Sequence, residues 1–475
     1  MSTHSVLNRR DFIKFSAMVA AILGLPACTT LQQQQPRRPR PIAPGAKIRI
    51  AQIGCGGKGW SDILAHKDED VVALCDVDWN TPLNPPRWSA DTPEAKLPKR
   101  ERLLKEFPNA KLYTDFRKML VEMDDQIDAV GITTPDHMHF LPAYMAIMMG
   151  KHVYVQKPLT QTVGEARELL RLARLNGVVT QMGNQGHAGE GIRLVQEWHD
   201  AGVIGDVREV NIWTNRPVWP QGMTEWPAPE PVTEGLNWDG FLGRAPEREF
   251  SSQIHPFNWR GYQDYGCGAL GDMACHLMDA AFTVLRLGAP SSVELKQING
   301  KSPIAYPNSA IVEYQFPARG NLPPVKLTWH EGGLKPAKPA QMEESRNLAQ
   351  GGQLIVGSKA TVYDGNDYCN SPRIIPESLH RELAPTFPPR TLPRVPGNNP
   401  HTEWTAAIRA GNPTGAGSNF EYSAPFTEMV NLGTLAILIG GKIEWDAENM
   451  TTGRPEADKL LYPTYRRGWE PADMI

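Results

Sequence analysis

Cysteine is scarce and unpatterned: six residues in 475, with no CxxC among them. That excludes a disulfide-framed scaffold and leaves reduced, structural thiols, with Cys55 and Cys75 placed where buried thiols belong. Basic runs are missing too, apart from the short "PRRPRP", and the net charge is only −3, so nothing points to nucleic acid. The apolar stretch from Phe15 to Leu25 falls short of the roughly 20 residues that a bilayer-spanning helix needs. A helical bundle is disfavoured by 42 prolines and 42 glycines, which call for many turns. What remains is a chain long enough for two domains with separate cores.

The N-terminus carries Arg9-Arg10-Asp11-Phe12-Ile13-Lys14, a twin-arginine pattern, then the short apolar stretch. Charge, apolar core and a small-residue end follow one another as in a signal peptide, so residues 1–28 are expected to direct export to the periplasm. Leu25-Pro26-Ala27-Cys28 resembles a lipobox, which would lipidate Cys28 and tether the protein to a membrane; a plain cleavage site is the alternative. Residues 29–46 hold little that packs and read as an extended linker.

From Lys47 the pattern changes. "KIRIAQIG" is a strand-like run that enters Gly54-Cys55-Gly56-Gly57-Lys58-Gly59, a GxGxxG loop ahead of a helix-like segment. Gly54 makes the turn, Gly56 lets backbone amides approach a pyrophosphate, and Gly59 lets helix and strand pack. A second strand, "VVALC", ends at Asp76. An acid there accepts a ribose 2′-hydroxyl and repels a 2′-phosphate, so the expected cofactor is NAD. "IDAVGITTP", "KHVYVQKPLT" and "VVTQMGNQ" supply further strands, and "HFLPAYMAIMMG" reads as a helix between them. This alternation predicts a doubly wound parallel sheet over residues 47–185, with Thr134, Lys157 and Asn184 at the ligand-binding strand ends.

Asp136-His137-Met138-His139 could be taken for a metal site, but ligands two residues apart on one loop, with no cysteine or carboxylate cluster, do not make one; no metal is expected. Lys157, followed by Pro158 at a strand end, is aimed where a nicotinamide would lie.

The glycine loop, "TPDHMH", "QKPLT" and "GALGDMACHLMD" at 268–279, in this order, resemble the glucose-fructose oxidoreductase, inositol dehydrogenase and rhizopine-catabolism family (Gfo/Idh/MocA). The resemblance implies that Lys157 contacts both cofactor and sugar, that Thr134, Pro135 and His139 line the cofactor site, and that Asp272 and His276 form the family's D-x-x-x-H pair. This chain has Gln156 where the family usually has Glu, which removes a negative charge beside Lys157. It also lacks the Gly-His-Gly-Gly of the family's NAD-dependent N-acetylgalactosaminidases, which counts against that branch. Read from the residues alone, Asp272 and His276 share one helix face, being four apart. His276 can then take a hydroxyl proton while Lys157 stabilises the oxygen.

Beyond residue 186 longer, alternating strands predict a mostly antiparallel open sheet in an α+β domain, one face of which would support a homo-oligomer. Trp213, Arg216, Trp219, His255, Trp259, Arg260 and Tyr265 are candidate sugar contacts, since aromatic faces and forked donors suit a sugar ring; each could equally be a loop anchor. The expected activity is NAD-dependent oxidation of a sugar or glycoside hydroxyl, at C3, with tightly bound cofactor and a second sugar or external acceptor taking the electrons. The alternatives are a redox-neutral glycosidase working through a 3-keto intermediate, with His255 or Tyr265 as second base, and a non-catalytic sugar-binding surface protein.

Overall fold

Two kinds of strand build two kinds of sheet. In the computed structural model, which describes residues 36–83 and 92–474, β4 (Ala129–Ile132) and β5 (His152–Val155) are buried at every position. Strands covered on both faces belong to a parallel sheet sandwiched by helices. They join β1 (Arg49–Ile53), β2 (Asp70–Cys75), β3 (Lys111–Tyr113) and β6 (Thr180–Met182) in one parallel sheet of order β3-β2-β1-β4-β5-β6. The order reverses between β1 and β4, where a doubly wound sheet opens its ligand crevice.

The second sheet comprises β7 (Val207–Trp213), β8 (Ser292–Asn299), β9 (Ser309–Phe316), β10 (Val325–His330), β11 (Gly352–Gly357), β12 (Thr361–Asp364), β13 (Arg373–Ile375) and β14 (Lys442–Glu444). Its order is β13-β12-β11-β7-β10-β9-β8-β14, antiparallel throughout except for the parallel pair β7–β10. Along β9 the burial alternates, as expected of a sheet with one face packed and one freer. The run "GGQLIVGSKATVYDG" divides into β11 and β12, a hairpin that turns at Ser358–Lys359. One continuous apolar core links the sheets: Val130 and Val153 of the first share it with Val210, Val312 and Leu327 of the second.

The helix Phe420–Ile439, buried over most of its length, packs on the helix Val163–Asn176 of the first half and on the helix Gly268–Leu277. The motif helix is thereby clamped between halves. The arginines of "PRRPRP" do not dangle as a tether would. Arg37 donates its backbone N–H to Asn176 Oδ1 (3.0 Å) and pairs with Asp124, while Arg40 reaches Asp128 at 3.3 Å. Acidic partners on the first half thus draw in the end of the expected 29–46 linker. The export segment and Cys28 lie outside the described residues. Among the described residues no helix is long and apolar enough to cross a membrane. The five described cysteines are all buried and unpaired.

Candidate functional site

A cleft of about 750 Å³ runs over the carboxyl ends of β1, β2, β4 and β5, roofed by segments of the second half. The glycine loop forms one end. Gly54 has φ +80°, and a Cβ there would lie 2.4 Å from the Thr133 carbonyl oxygen. A Cβ on Gly59 would lie 2.1 Å from the Gly54 oxygen, so strand, turn and helix close only without side chains at both positions. Asp76 directly follows β2 beside the loop, and its Oδ2 accepts the Cys55 N–H at 2.8 Å. Thr134 and Pro135 line the cleft beyond β4; the Thr134 hydroxyl donates to the Met138 oxygen (2.9 Å) and closes the turn. Gly54, Gly56, Asp76, Thr134 and Pro135 line this end of the cleft together, with Gly59 packed behind the turn, and these residues are compatible with a dinucleotide.

The other end gathers titratable groups. The Lys157 ammonium donates to the Asp272 carbonyl oxygen (2.7 Å) and to Asp272 Oδ1 (2.9 Å), with Arg260 Nε 3.7 Å from the same carboxylate. Burial alone would depress Lys157, but Asp272 and Asp136 outweigh it and raise its pKa above the usual lysine value. Asp272 and His276 sit one turn apart on the helix Gly268–Leu277, and both reach the cleft. Burial pushes the His276 imidazole down to about 3, with Lys157 adding to the effect, so it is neutral at ordinary pH. Its Nδ1 is buried with no hydrogen-bond partner among the described residues, and its ring meets Tyr368 edge-on, with centroids 5.0 Å apart.

Gln156 does remove a carboxylate from the lysine's neighbour, but a charge stands one hydrogen bond behind it. Its amide donates to Asp62 Oδ2 at 2.9 Å, and Asp62 also accepts from the Thr133 hydroxyl (2.9 Å) and the Lys58 ammonium (2.5 Å). Burial opposes the ionisation of Asp62, yet His401 and Lys58 outweigh it and hold the carboxyl at about 2.

Several expected contacts lie elsewhere. Asn184 does not face the cleft: its amide N–H donates to Asp279 Oδ2 (2.9 Å) and its oxygen accepts from Ser418, while Gln185 lines the wall instead. Trp213 is fully buried in the second half against Met342, Leu354, Tyr363 and Ile375, with its indole N–H on the Ala349 oxygen (3.0 Å). Tyr265 is sealed in an aromatic cluster with Trp226, Phe241 and Tyr262. Neither can touch a sugar in the cleft, nor can Tyr265 serve as a second base there.

His139 borders the cleft, but its ring bridges the Pro158 and Thr134 carbonyl oxygens at 2.7 and 3.0 Å; being neutral, with a pKa pushed by burial to about 4, it donates to one of them. It ties the β4 and β5 ends together. His137 similarly faces the Tyr265 and Phe241 carbonyls. His255 lines the cleft but is held by Asp78 (2.9 Å), just past β2, and so belongs to the nucleotide end.

Arg216, Trp219, Trp259 and Arg260 do line the cleft, and the Arg260 guanidinium lies over the Trp259 ring at 4.3 Å. Three lining residues carried no separate signal as site residues in the sequence. Lys99 and Tyr368 arrive from distant segments, and Asp136 was visible only as half of an unconvincing metal motif. Asp136 accepts the Cys267 N–H (3.0 Å), and burial pushes its carboxyl up to about 6, the nearby Asp272 adding to the shift.

Comparison with known proteins agrees with this architecture. A D-glucoside 3-dehydrogenase of Escherichia coli is 24% identical over 52% of this chain and 56% of its own length. A glycosyl hydrolase family 109 protein of Solibacter usitatus is 29% identical over 34% of this chain and 35% of its own. The chain thus spans about half the length, or less, of the curated relatives it matches. The WlbA dehydrogenase from Chromobacterium violaceum, solved with NADH and UDP-GlcNAcA, shares the fold at TM-score 0.56 and 16% identity, over 86% of this chain and 99% of that one. Residues 91–184 match the family model described as "Oxidoreductase family, NAD-binding Rossmann fold", and residues 206–303 match "Oxidoreductase family, C-terminal alpha/beta domain". Two segments, in order around the cleft, thus match the NAD-binding and C-terminal domains of the Gfo/Idh/MocA oxidoreductase family.

Proposed function

We propose that the protein is an NAD-dependent oxidoreductase acting on a hydroxyl of a sugar or glycoside. The observation that carries this reading is the convergence of Lys157, Asp272 and His276 at the strand ends, in one cleft with the glycine loop. The Gly54–Gly59 loop, Asp76, Thr134 and Pro135 would hold NAD, which would supply the two-electron acceptor. The chain's own residues do the rest. The Lys157 ammonium, kept cationic by Asp272 and Asp136, donates to the substrate oxygen and makes its hydroxyl more acidic. His276, neutral across the physiological range, accepts the hydroxyl proton. A nearly buried imidazole is a weak base, so polarisation of the hydroxyl by Lys157 carries the larger share of the activation. Trp259 and Trp219 offer apolar faces and Arg216 and Arg260 forked donors to the ring.

The similarity to a D-glucoside 3-dehydrogenase favours C3 of a glucoside as the site of oxidation. A second reading, redox-neutral cleavage through a 3-keto intermediate, is favoured by the similarity to glycosyl hydrolase family 109 proteins. Tyr265 is sealed away and His255 is held at the nucleotide end, so neither stands ready as a second base for the C2 proton, and oxidation ranks first. The twin-arginine pattern supports export in the folded state, with the cofactor carried along and slow to dissociate; Cys28 would tether the product and a second-sheet face would support a homo-oligomer. The test is to incubate the purified protein, without added cofactor, with a panel of methyl glycosides. Reduced nicotinamide accumulating with keto-glycoside supports the dehydrogenase. Free sugar and methanol, with the cofactor returning to its oxidised form, overturns it in favour of the glycosidase.

A further inference from the structure

The acid that should reject a 2′-phosphate is not a free charge in this fold. Lys99 enters the cleft 23 residues further along the chain and places its ammonium 3.0 Å from Asp76 Oδ1. The pair is almost wholly buried, with Lys99 at 6% and Asp76 at 7% side-chain exposure. The same Oδ1 accepts the Asp78 N–H (2.9 Å), and Oδ2 accepts the Cys55 N–H. The lysine stem also lies along the glycine loop: a Cβ on Gly56 would meet Lys99 Cδ at 3.3 Å and Nζ at 3.4 Å. Its position is fixed by its own backbone, whose N–H donates to the Thr81 oxygen at 2.9 Å. The ammonium therefore stands between the carboxylate and the loop that faces phosphate oxygens, within the same cleft wall.

A carboxylate excludes a 2′-phosphate by like-charge repulsion and by offering only acceptor oxygens. A buried ammonium at hydrogen-bond distance cancels the first effect and adds donors that a phosphate can use. We infer that Lys99 is a cofactor-selecting residue: by neutralising Asp76 and presenting donors beside the ribose-facing acid, it lets the nucleotide end accept a 2′-phosphorylated dinucleotide as well as NAD. The inference rests on the dinucleotide reading of the cleft. It concerns only the adenosine end, so binding can test it apart from any turnover.

The probes are adenosine 5′-monophosphate, 2′,5′-ADP, ADP and the intact dinucleotides NAD and NADP, titrated by calorimetry against the full-length protein. Wild type is expected to bind 2′,5′-ADP within about threefold of the 5′-monophosphate, and NADP within about tenfold of NAD. Lys99→Met, which keeps the stem and removes the charge, should widen both ratios by about tenfold or more against the 2′-phosphate, and Lys99→Arg should restore them. Wild type that discriminates by about a hundredfold against the 2′-phosphate overturns the inference without any variant, so a misfolded Lys99→Met leaves it testable. So does a ratio that Lys99→Met leaves unchanged. A Lys99→Met loss confined to ADP would assign the lysine to the pyrophosphate and overturn it too. Failure of all five probes to bind would instead sink the dinucleotide reading itself.

Discussion

Two aspartate–lysine pairs occupy the two ends of one cleft, at nearly the same separation: Asp76–Lys99 at 3.0 Å and Asp272–Lys157 at 2.9 Å. Their surroundings differ. The first is 6–7% exposed, and its carboxylate also accepts the backbone N–H groups of Cys55 and Asp78, which pin it to the glycine loop and to the turn after β2. The second is 16–19% exposed, has a third charge in Arg260 at 3.7 Å, and neighbours an imidazole whose Nδ1 has no partner among the described residues. A carboxylate pinned by backbone amides holds its lysine in one place, whereas the more exposed pair can change partners when a substrate oxygen arrives. The same two side chains thus make a fixed recognition surface at one end and a rearrangeable reacting pair at the other, and what decides is burial and how firmly the backbone holds the carboxylate.

Substitutions can break this contrast, the greatest effect being expected at the open pair. Lys157→Met should lower turnover on the reactive glycoside by about a thousandfold while NAD affinity changes only a few-fold. Steady-state rates beside calorimetric binding would show it, and equal losses in both would make Lys157 a cofactor anchor only. His276→Ala should cost about a hundredfold in turnover, the usual share of a positioned base. A rate within a few-fold of wild type would hand the proton to another group and remove His276 from the reaction.

The pairs should also part in stability. Asp76→Asn leaves a buried ammonium without a counter-charge and should cost about 3 kcal/mol in urea unfolding, whereas Asp272→Asn, at a wetter pair, should cost about 1 kcal/mol. Equal costs would erase the distinction between closed and open.

An effect of similar size, and of opposite sign, is expected at Asp136, whose pKa is raised by burial to about 6. Between the ordinary carboxylate value and about 6 the folded chain keeps this proton and the unfolded chain does not, so stability falls as pH rises through that window. Asp136→Asn should flatten that slope, gaining about 1–2 kcal/mol at neutral pH and nothing near pH 4, as read by urea titrations at both ends. A slope that persists in the variant would place the titration elsewhere.

Much of the nucleotide end is legible in the order of residues alone. Glycines at 54, 56 and 59 between a strand and a helix, and an acid closing the next strand, are local events within one βαβ unit, so short-range spacing reports them. The Asp272–His276 spacing is legible for the same reason, since one helical turn brings residues four apart together. Asn184, Trp213 and Tyr265 were misplaced because residue type and strand-end position do not say which way a side chain turns. The cleft wall at 185, the core behind β7 and the aromatic cluster around Tyr265 decide that. Lys99, Tyr368 and Asp62 left no trace as site residues, because their partners lie 23 to more than 90 residues away along the chain.

By itself, then, the sequence determined the dinucleotide loop, the alternation that makes a parallel sheet, the longer strands of the second half and the residue types of the reacting cluster. All of these depend on neighbours within a turn or a strand. Only the tertiary structure decided which charges stand free. It brought Lys99 onto Asp76, set Asp62 behind Gln156, and buried Asp136 beside Lys157 and His276 at the cleft wall. The reason is physical: protonation and selectivity depend on burial and on charges a few ångströms away, and those distances are set by packing between segments remote in the chain.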